Sequence, residues 1–201
     1  MTEKNIAATT PMVTGKHLEQ ILEAALLAAG QPLSRAQMAA LFSEEERPPM
    51  GEIGRALEQL KNDCSERGVE LKKVASGYRL QVKQELNIWV SRLWSERPPR
   101  YSRALLETMA LIAYRQPITR GEIEAVRGVS VSTNIIRTLQ EQSWIRVVGH
   151  RDVPGKPALF ATTKTFLDAF ALESLDELPT LAEIRDMETL IPELVLDAPQ
   201  P

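Results

Sequence analysis

The side chains that most often carry catalysis or hold metals are scarce in this chain of 201 residues. There is one cysteine, Cys64, and there are two histidines, His17 and His150, which lie far apart in the sequence. This spacing offers no local Cys/His zinc motif. No phosphate-binding loop, dinucleotide fingerprint, metalloprotease motif or serine-hydrolase motif occurs either. The residues therefore predict no catalytic site, no metal site and no cofactor.

Cys64 follows Ile53, Ala56, Leu57 and Leu60 at helical spacing. A cysteine on such an apolar stripe is predicted to be a small core residue rather than a nucleophile. One cysteine forms no internal disulfide, which favours a reducing cytoplasm. The sequence holds no run of eighteen apolar residues and no apolar signal core near its start, so no membrane segment is predicted.

Three cations that could contact DNA lie close together in the second half of the chain: Arg146, Arg151 and Lys156. They could touch a phosphate backbone weakly, although three charges are also normal on a solvated hairpin. The helical stretches that would read bases are poorly suited to that role, because residues 51–67 carry a net charge of −1 and residues 130–142 carry only Arg137 and Glu141. We expect DNA binding that is weak and without base preference.

An internal repeat at an offset of 85 residues organises the chain. Residues 24–35 (AALLAAGQPLSR) align with residues 109–120 (MALIAYRQPITR), and the apolar positions, the Gln-Pro pair and the arginine coincide. Two copies of one supersecondary unit are therefore predicted.

Each copy has the pattern of a helix, a short extended segment, two helices and a β-hairpin. Ser34 with Gln37, and Thr119 with Glu122, have the capping-box spacing that starts a helix. Alternating residues predict one hairpin around 75–77 and a second with a loop over 149–157. The predicted fold is mainly α with small β-hairpins (α+β), arranged as two tandem winged-helix domains.

The predicted organisation is a flexible N-terminus over 1–15, a first winged-helix domain over 16–96, a linker over 97–101, a second winged-helix domain over 102–171 and an acidic tail over 172–201. Pro98 and Pro99 make the linker stiff. Helices at 85–95 and 164–171 close the two domains. Trp89 and Trp94 of the first could pack on a second subunit or inside their own domain.

Charge separates the C-terminal tail from the rest of the chain. Residues 1–99 hold 13 basic and 13 acidic side chains, residues 100–171 hold 10 and 6, and residues 172–201 hold 1 and 8. Apolar residues from Leu181 to Leu194 recur every three or four positions, which predicts a short amphipathic helix. Since so short a helix is marginal in water, the tail is predicted to be mobile and dispensable for folding until its stripe meets a partner or the protein's own surface.

The second repeat carries a specific resemblance. YSRALLET over 101–108 leads into IAYRQPITR over 112–120, and PGKP over 154–157 and SLDELP over 174–179 follow in order. This pattern resembles the bacterial segregation and condensation protein B family, closely over 100–180 and more diffusely over 17–95. Ser143-Trp144 stands where the family has glycine before the second wing, and Ala171 stands where glycine is common.

The resemblance implies a non-catalytic subunit of the bacterial condensin complex, acting in chromosome condensation and partition. It implies a cytoplasmic, nucleoid-associated homodimer, formed mainly by the first domain, that binds the kleisin subunit and through it the structural-maintenance-of-chromosomes ATPase. Candidate partner contacts are Tyr114, Arg115, Arg127 and Phe170, each of which could equally be core or solvated surface. The alternative hypotheses are a winged-helix transcription regulator that binds DNA and, more distantly, an enzyme for which no residue set is apparent.

Overall fold

The computed structural model describes residues 15–93 and 101–180. These residues form a mixture of helix and strand, and about half of them are helical. It divides into two compact units, Met1–Glu107 and Thr108–Pro201. The predicted N-terminal segment before Gly15, the linker before Tyr101, Trp94 and the tail after Thr180 lie outside the described residues.

The first unit contains three helices followed by a hairpin. The elements are α1 (Gly15–Ala29), α2 (Arg35–Ala39), α3 (Met50–Asp63), β1 (Val69–Val74) and β2 (Gly77–Val82). Leu18, Leu22 and Leu26 form the buried face of α1, as their spacing predicted. Cys64, only 2% exposed, is part of the same core, which confirms its predicted role.

The first hairpin lies where it was predicted, around 75–77; β1 and β2 are antiparallel, with Val74 opposite Gly77 and two residues in the turn. A short extended segment at Leu33 pairs with Tyr78 on the other side of β2. The predicted capping box is present, because the Ser34 hydroxyl accepts the Gln37 N–H and the Gln37 side chain accepts the Ser34 N–H. It starts α2 directly after that segment.

The helix predicted at about 85–95 is present as an unbroken helical stretch over 84–93, but only part of it is α-helical. A four-residue α4 (Asn87–Val90) lies between 3-10 turns at Gln84–Leu86 and Ser91–Leu93. Asn87 is a weak helix former, and branching at Ile88 and Val90 restricts their side-chain rotamers in a helix. No side-chain cap supports the start of α4.

The second unit repeats this order. Helix α5 (Arg103–Arg115) spans the boundary between the units, and β3 (Ile118–Thr119), α6 (Arg120–Arg127), α7 (Thr133–Glu141), β4 (Ile145–His150), β5 (Ala158–Thr162) and α8 (Lys164–Ala169) follow. The sheet order is β3-β5-β4, with both neighbouring pairs antiparallel. Strand β4 runs into the predicted loop as far as His150 and is irregular between Val147 and Gly149.

The chain continues along the second unit after α8. The Leu172 N–H donates to the Leu167 carbonyl at 2.8 Å, and a 3-10 turn follows at Leu175–Glu177. Leu175 and Leu178 are half-buried. Residues 172–180, the first part of the predicted tail, therefore lie against this unit.

Candidate functional site

A groove on the second unit brings together candidates that are far apart in the sequence. It has a volume of about 350 Å³ and lies beside α6 and the end of α5. We call it the α6 groove; its lining includes Arg115, Pro117, Glu122, Ala125, Val126 and Arg151. Val126 is 45% exposed, although it continues the apolar pattern of the repeat. The groove thus combines apolar surface with two guanidinium groups.

Glu122 fixes Arg151 at the edge of the α6 groove. The Arg151 guanidinium donates to both carboxylate oxygens of Glu122, at 2.7 and 2.9 Å. The same carboxylate accepts the N–H and the hydroxyl of Thr119, at 2.8 and 2.9 Å, in the predicted capping box. These hydrogen bonds, the backbone one first, lower the pKa of Glu122. Because the Arg151 guanidinium is already paired with Glu122, it is less available to bind a DNA phosphate.

Glu124 holds the segment that leads from α6 to α7. Its carboxylate accepts the Val131 N–H at 2.8 Å and an Arg120 N–H at 3.0 Å. The backbone hydrogen bond is the chief reason that the pKa of Glu124 is lowered, and the Arg120 hydrogen bond adds to it. Arg120 also donates to the Thr133 hydroxyl at the start of α7. The α6 end of the groove is thereby held in a defined conformation.

The other partner candidates have structural contacts of their own. The Tyr114 hydroxyl donates to the Pro179 carbonyl, next to Arg115 on α5. Arg127 is half-buried and donates to the hydroxyl of Thr108, which is fully buried. Arg115 is exposed at the end of α5. Of these three residues, only Arg115 combines exposure with a place in the groove.

Phe170 belongs to an aromatic cluster at the end of α8. Its ring packs edge-on against Trp144, with 5.4 Å between centroids, and in a tilted arrangement against Phe166, with 4.9 Å between centroids. Trp144 and Phe166 are buried, whereas Phe170 is 40% exposed. Phe170 therefore closes the core on one side and offers apolar surface on the other.

The cations predicted to contact DNA do not form one cluster. Arg146 lines a second groove of about 490 Å³ with Gln116, Lys164 and Leu175, apart from the α6 groove in which Arg151 lies. Lys156 is exposed at the hairpin turn. On α7, Arg137 forms an ion pair with Glu141 at 2.7 Å. Because these cations are spread apart and Arg137 and Arg151 are paired, they form less of a basic surface than their number in the sequence suggested.

The first unit exposes an apolar surface that we call the Trp89 patch: Ile88, Trp89 and Leu93. These side chains are 66%, 59% and 78% exposed. Single exposed apolar residues are ordinary, but three such residues within one short helical stretch are typical of a protein–protein contact. The sequence left open whether Trp89 packs on a second subunit or inside its own domain, and its exposure favours the first of these alternatives.

Two residues of the second unit were missed by sequence reasoning. The Gln116 side chain accepts the N–H and hydroxyl of Thr162, at 2.7 and 3.0 Å, and so ties the end of α5 to β5. Glu122 was predicted only as a capping residue, yet it also binds Arg151. The Gln-Pro pair that recurs in both repeats could have pointed to Gln116. No pattern of neighbouring residues indicated the ion pair between Glu122 and Arg151.

Two further observations concern residues 15–93 and 101–180 alone. No helix there has the length and hydropathy needed to cross a membrane. No group of three or more His, Cys, Asp or Glu side chains in these ranges is arranged to hold a metal ion.

Comparison with known proteins gives a consistent result. The family model described as "Segregation and condensation complex subunit ScpB" matches residues 20–181. The "Segregation and condensation protein B homolog" of Coxiella burnetii is 56% identical over 170 residues, which cover 85% of this chain and 81% of that protein. The "Segregation and condensation protein B" of Syntrophotalea carbinolica is 39% identical over 182 residues, 90% of each chain.

Solved structures also match. ScpB from Mycobacterium tuberculosis is 32% identical, with a TM-score of 0.37, and the match covers 78% of this chain and 96% of that one. A dimer of a ScpB N-terminal domain complexed with an ScpA peptide is 32% identical, with a TM-score of 0.36, and the match covers 39% of this chain and 96% of that one.

Proposed function

This chain belongs to the family of the segregation and condensation complex subunit ScpB, and from that membership we propose that it is a non-catalytic subunit of a bacterial condensin-like complex. In this role it dimerises, binds the kleisin subunit and acts through the kleisin on the structural-maintenance-of-chromosomes ATPase. Its place is the cytoplasm, in association with the nucleoid. The observation that carries the proposal is the family match over residues 20–181, which extends through both units.

Each unit is proposed to be a winged helix. The order of three helices and a hairpin supports this assignment, as does the short extended segment that pairs with the hairpin in each unit. Small units of this kind have limited cores, so contacts with other subunits are expected to contribute to their stability.

The Trp89 patch is proposed as the homodimer surface. Burying three apolar side chains removes from water the largest apolar surface of α4 and its flanking turns. Trp89→Asp in the full chain is therefore expected to convert the dimer to a monomer at tens of micromolar, as measured by light scattering. Leu27→Asp is the matched control, since Leu27 of α1 is 64% exposed. A Trp89→Asp protein that stays dimeric would contradict this placement.

The α6 groove is proposed to bind the kleisin. An aliphatic lining with an arginine beside it suits a segment that carries both apolar and acidic residues. We expect the native chain and kleisin to co-purify at micromolar concentration. Arg115→Glu is expected to weaken binding about tenfold or more, through lost attraction and new repulsion. Arg137→Glu makes the same charge change on α7, where Arg137 is 74% exposed, and should leave the affinity nearly unchanged.

DNA contact is proposed to be weak or indirect. The ion pairs of Arg151 and Arg137 leave few free cations on the second hairpin and on α7. Titration with duplexes at several salt concentrations should give micromolar or weaker binding without sequence preference. A nanomolar complex with one duplex at physiological salt would favour the transcription-regulator alternative instead.

A further inference from the structure

The second groove of the second unit carries positive charge that no described residue neutralises. This groove, which we call the Arg146 groove, is lined by Arg146 of β4, Lys164 of α8 and the half-buried Leu167 and Leu175, among other residues. Both cations are exposed, and neither side chain has an ion pair or a hydrogen bond within residues 15–93 and 101–180. The lining residues that the structure describes include no carboxylate, so the groove has two net positive charges.

The other polar side chains of the Arg146 groove are already engaged. The Gln116 side chain accepts the N–H and the hydroxyl of Thr162, and the Thr163 hydroxyl donates to the Ser143 carbonyl. The two cations are therefore the groups that can bind a ligand, and the two leucines lie beside them. A carboxylate next to an apolar side chain matches both features, whereas a phosphate backbone matches only the cations. The groove thus fits an acidic peptide segment.

The Arg146 groove and the α6 groove meet at the end of α5. Arg115 and Pro117 line the α6 groove, whereas Gln116, which stands between them in the chain, lines the Arg146 groove. Since successive Cα atoms lie less than about 4 Å apart, little more than one width of backbone separates the two grooves. An extended chain advances about 3.3 Å per residue, so about three to five of its residues can cross from one groove to the other.

We propose that the Arg146 groove is a second binding site for an acidic segment, and that one segment of the partner occupies both grooves. This inference rests on the proposed function, which places that segment in the kleisin. One carboxylate binds Arg146 and Lys164, and an apolar neighbour packs on Leu167 and Leu175. A second carboxylate, about three to five residues away, binds Arg115 in the α6 groove. Two linked contacts bind more tightly than either alone, because the first holds the second at high effective concentration.

Charge reversal in the full chain tests the cations of the Arg146 groove. In calorimetric titrations with the kleisin, Arg146→Glu and Lys164→Glu are each expected to weaken binding about fivefold or more. The difference from the native chain should shrink at high salt, because exposed charges are screened. Arg137→Glu and Lys156→Glu make the same charge changes outside both grooves and should leave the affinity nearly unchanged. All four side chains are exposed, so the variants should keep the native melting temperature.

Photo-crosslinking tests whether one segment spans both grooves. A benzoylphenylalanine in place of Leu175 reports on the Arg146 groove, and one in place of Val126 reports on the α6 groove. These two positions are expected to crosslink to kleisin residues within about ten positions of each other. Val148 on β4 is the control, since it is as exposed as Val126, at 45%, and lines neither groove. It should give little or no crosslink.

The outcomes separate this inference from the proposed function. Kleisin binding that depends on Arg115 but not on Arg146 or Lys164 would overturn the inference and leave the proposed function in place. A kleisin that does not bind the native chain would overturn both. If Arg146→Glu weakened the binding of duplex DNA and left the kleisin affinity unchanged, the groove would belong to nucleic acid and the inference would be wrong. Crosslinks to distant kleisin regions would overturn the single segment.

Discussion

Glu122 shows how one carboxylate serves two structural purposes. It completes the capping box of α6 and binds Arg151 from the second hairpin, so a helix start and a distant loop share one charged group. Its lowered pKa means that the folded state prefers the ionised form. By linkage, the stabilisation from this group is fully present above the ordinary pKa of 4.5 and is lost as the pH falls through the lower folded value.

Glu122→Gln is therefore expected to destabilise the protein at neutral pH and to have a smaller effect well below pH 4.5. Glutamine keeps a capping acceptor but loses the charge that Arg151 and the Thr119 N–H favour. Denaturant unfolding of both proteins at neutral and acidic pH measures the difference. Glu58→Gln, at an exposed position of α3, is the control. An equal destabilisation at both pH values would contradict the linkage.

Gly77 is required by the close approach of two backbones. A Cβ atom here would lie 2.2 Å from the Leu33 carbonyl oxygen and 2.6 Å from the Ser34 nitrogen, and φ is +147°. Gly77→Ala should therefore lower the free energy of unfolding by about 2 kcal/mol or more, since backbone must move. Gly149→Ala on β4 has no atom within 4 Å of the new Cβ and should be nearly neutral by the same unfolding measurement.

At the scale of elements, two helices of the second unit end in the same way. After α7, the Ser143 and Trp144 N–H groups donate to the Gln140 and Leu139 carbonyls; after α8, the Ala171 and Leu172 N–H groups donate to the Asp168 and Leu167 carbonyls. Both are Schellman motifs, which place one residue in the left-handed region. That residue is Ser143 at φ 57° in one and Ala171 at φ 56° in the other.

These are two of the positions at which the family resemblance led us to expect glycine. A non-glycine residue in the left-handed region destabilises the folded state by about 1–2 kcal/mol. Glycine relieves this strain, but its greater freedom in the unfolded state offsets about half of the gain or more. Ala171→Gly should therefore stabilise the protein by about 0.5–1 kcal/mol, measured by thermal or denaturant unfolding. Ala169→Gly within α8 should destabilise it by a similar amount. A loss of stability in Ala171→Gly would show that this helix end is not strained.

Elements with strong local signals could be predicted from the sequence. The stripe of α1, both capping boxes and the first hairpin depend on residues within a few positions of one another, and the structure has all of them. The helix predicted at about 85–95 from its apolar residues is α-helical only over Asn87–Val90, because its branched residues and missing side-chain cap oppose a longer α-helix. Three of those apolar side chains, Ile88, Trp89 and Leu93, are instead exposed.

At the scale of the whole molecule, the prediction of the candidate site was only partial. Arg115 and Arg151 were assigned to different partners, yet they line one groove because Glu122 draws the second hairpin towards α6. Such convergence depends on contacts between distant residues, and no local pattern contains it. The repeat predicted which elements recur but gave no sign that the second copy alone acquires this ion pair.

The last prediction concerns the C-terminal segment. Residues 15–93 and 101–180 contain the buried cores described above, and Tyr114 already anchors the chain at Pro179. The core residues named above all precede residue 181, and about 1 kcal/mol shifts the melting temperature of a chain this size by about 2–4 °C. Deleting residues 181–201 should therefore lower the melting temperature by no more than a few degrees, as measured by calorimetry, because few core contacts would be lost. A fall of about 10 °C or more would show that the apolar residues of this segment are part of the core.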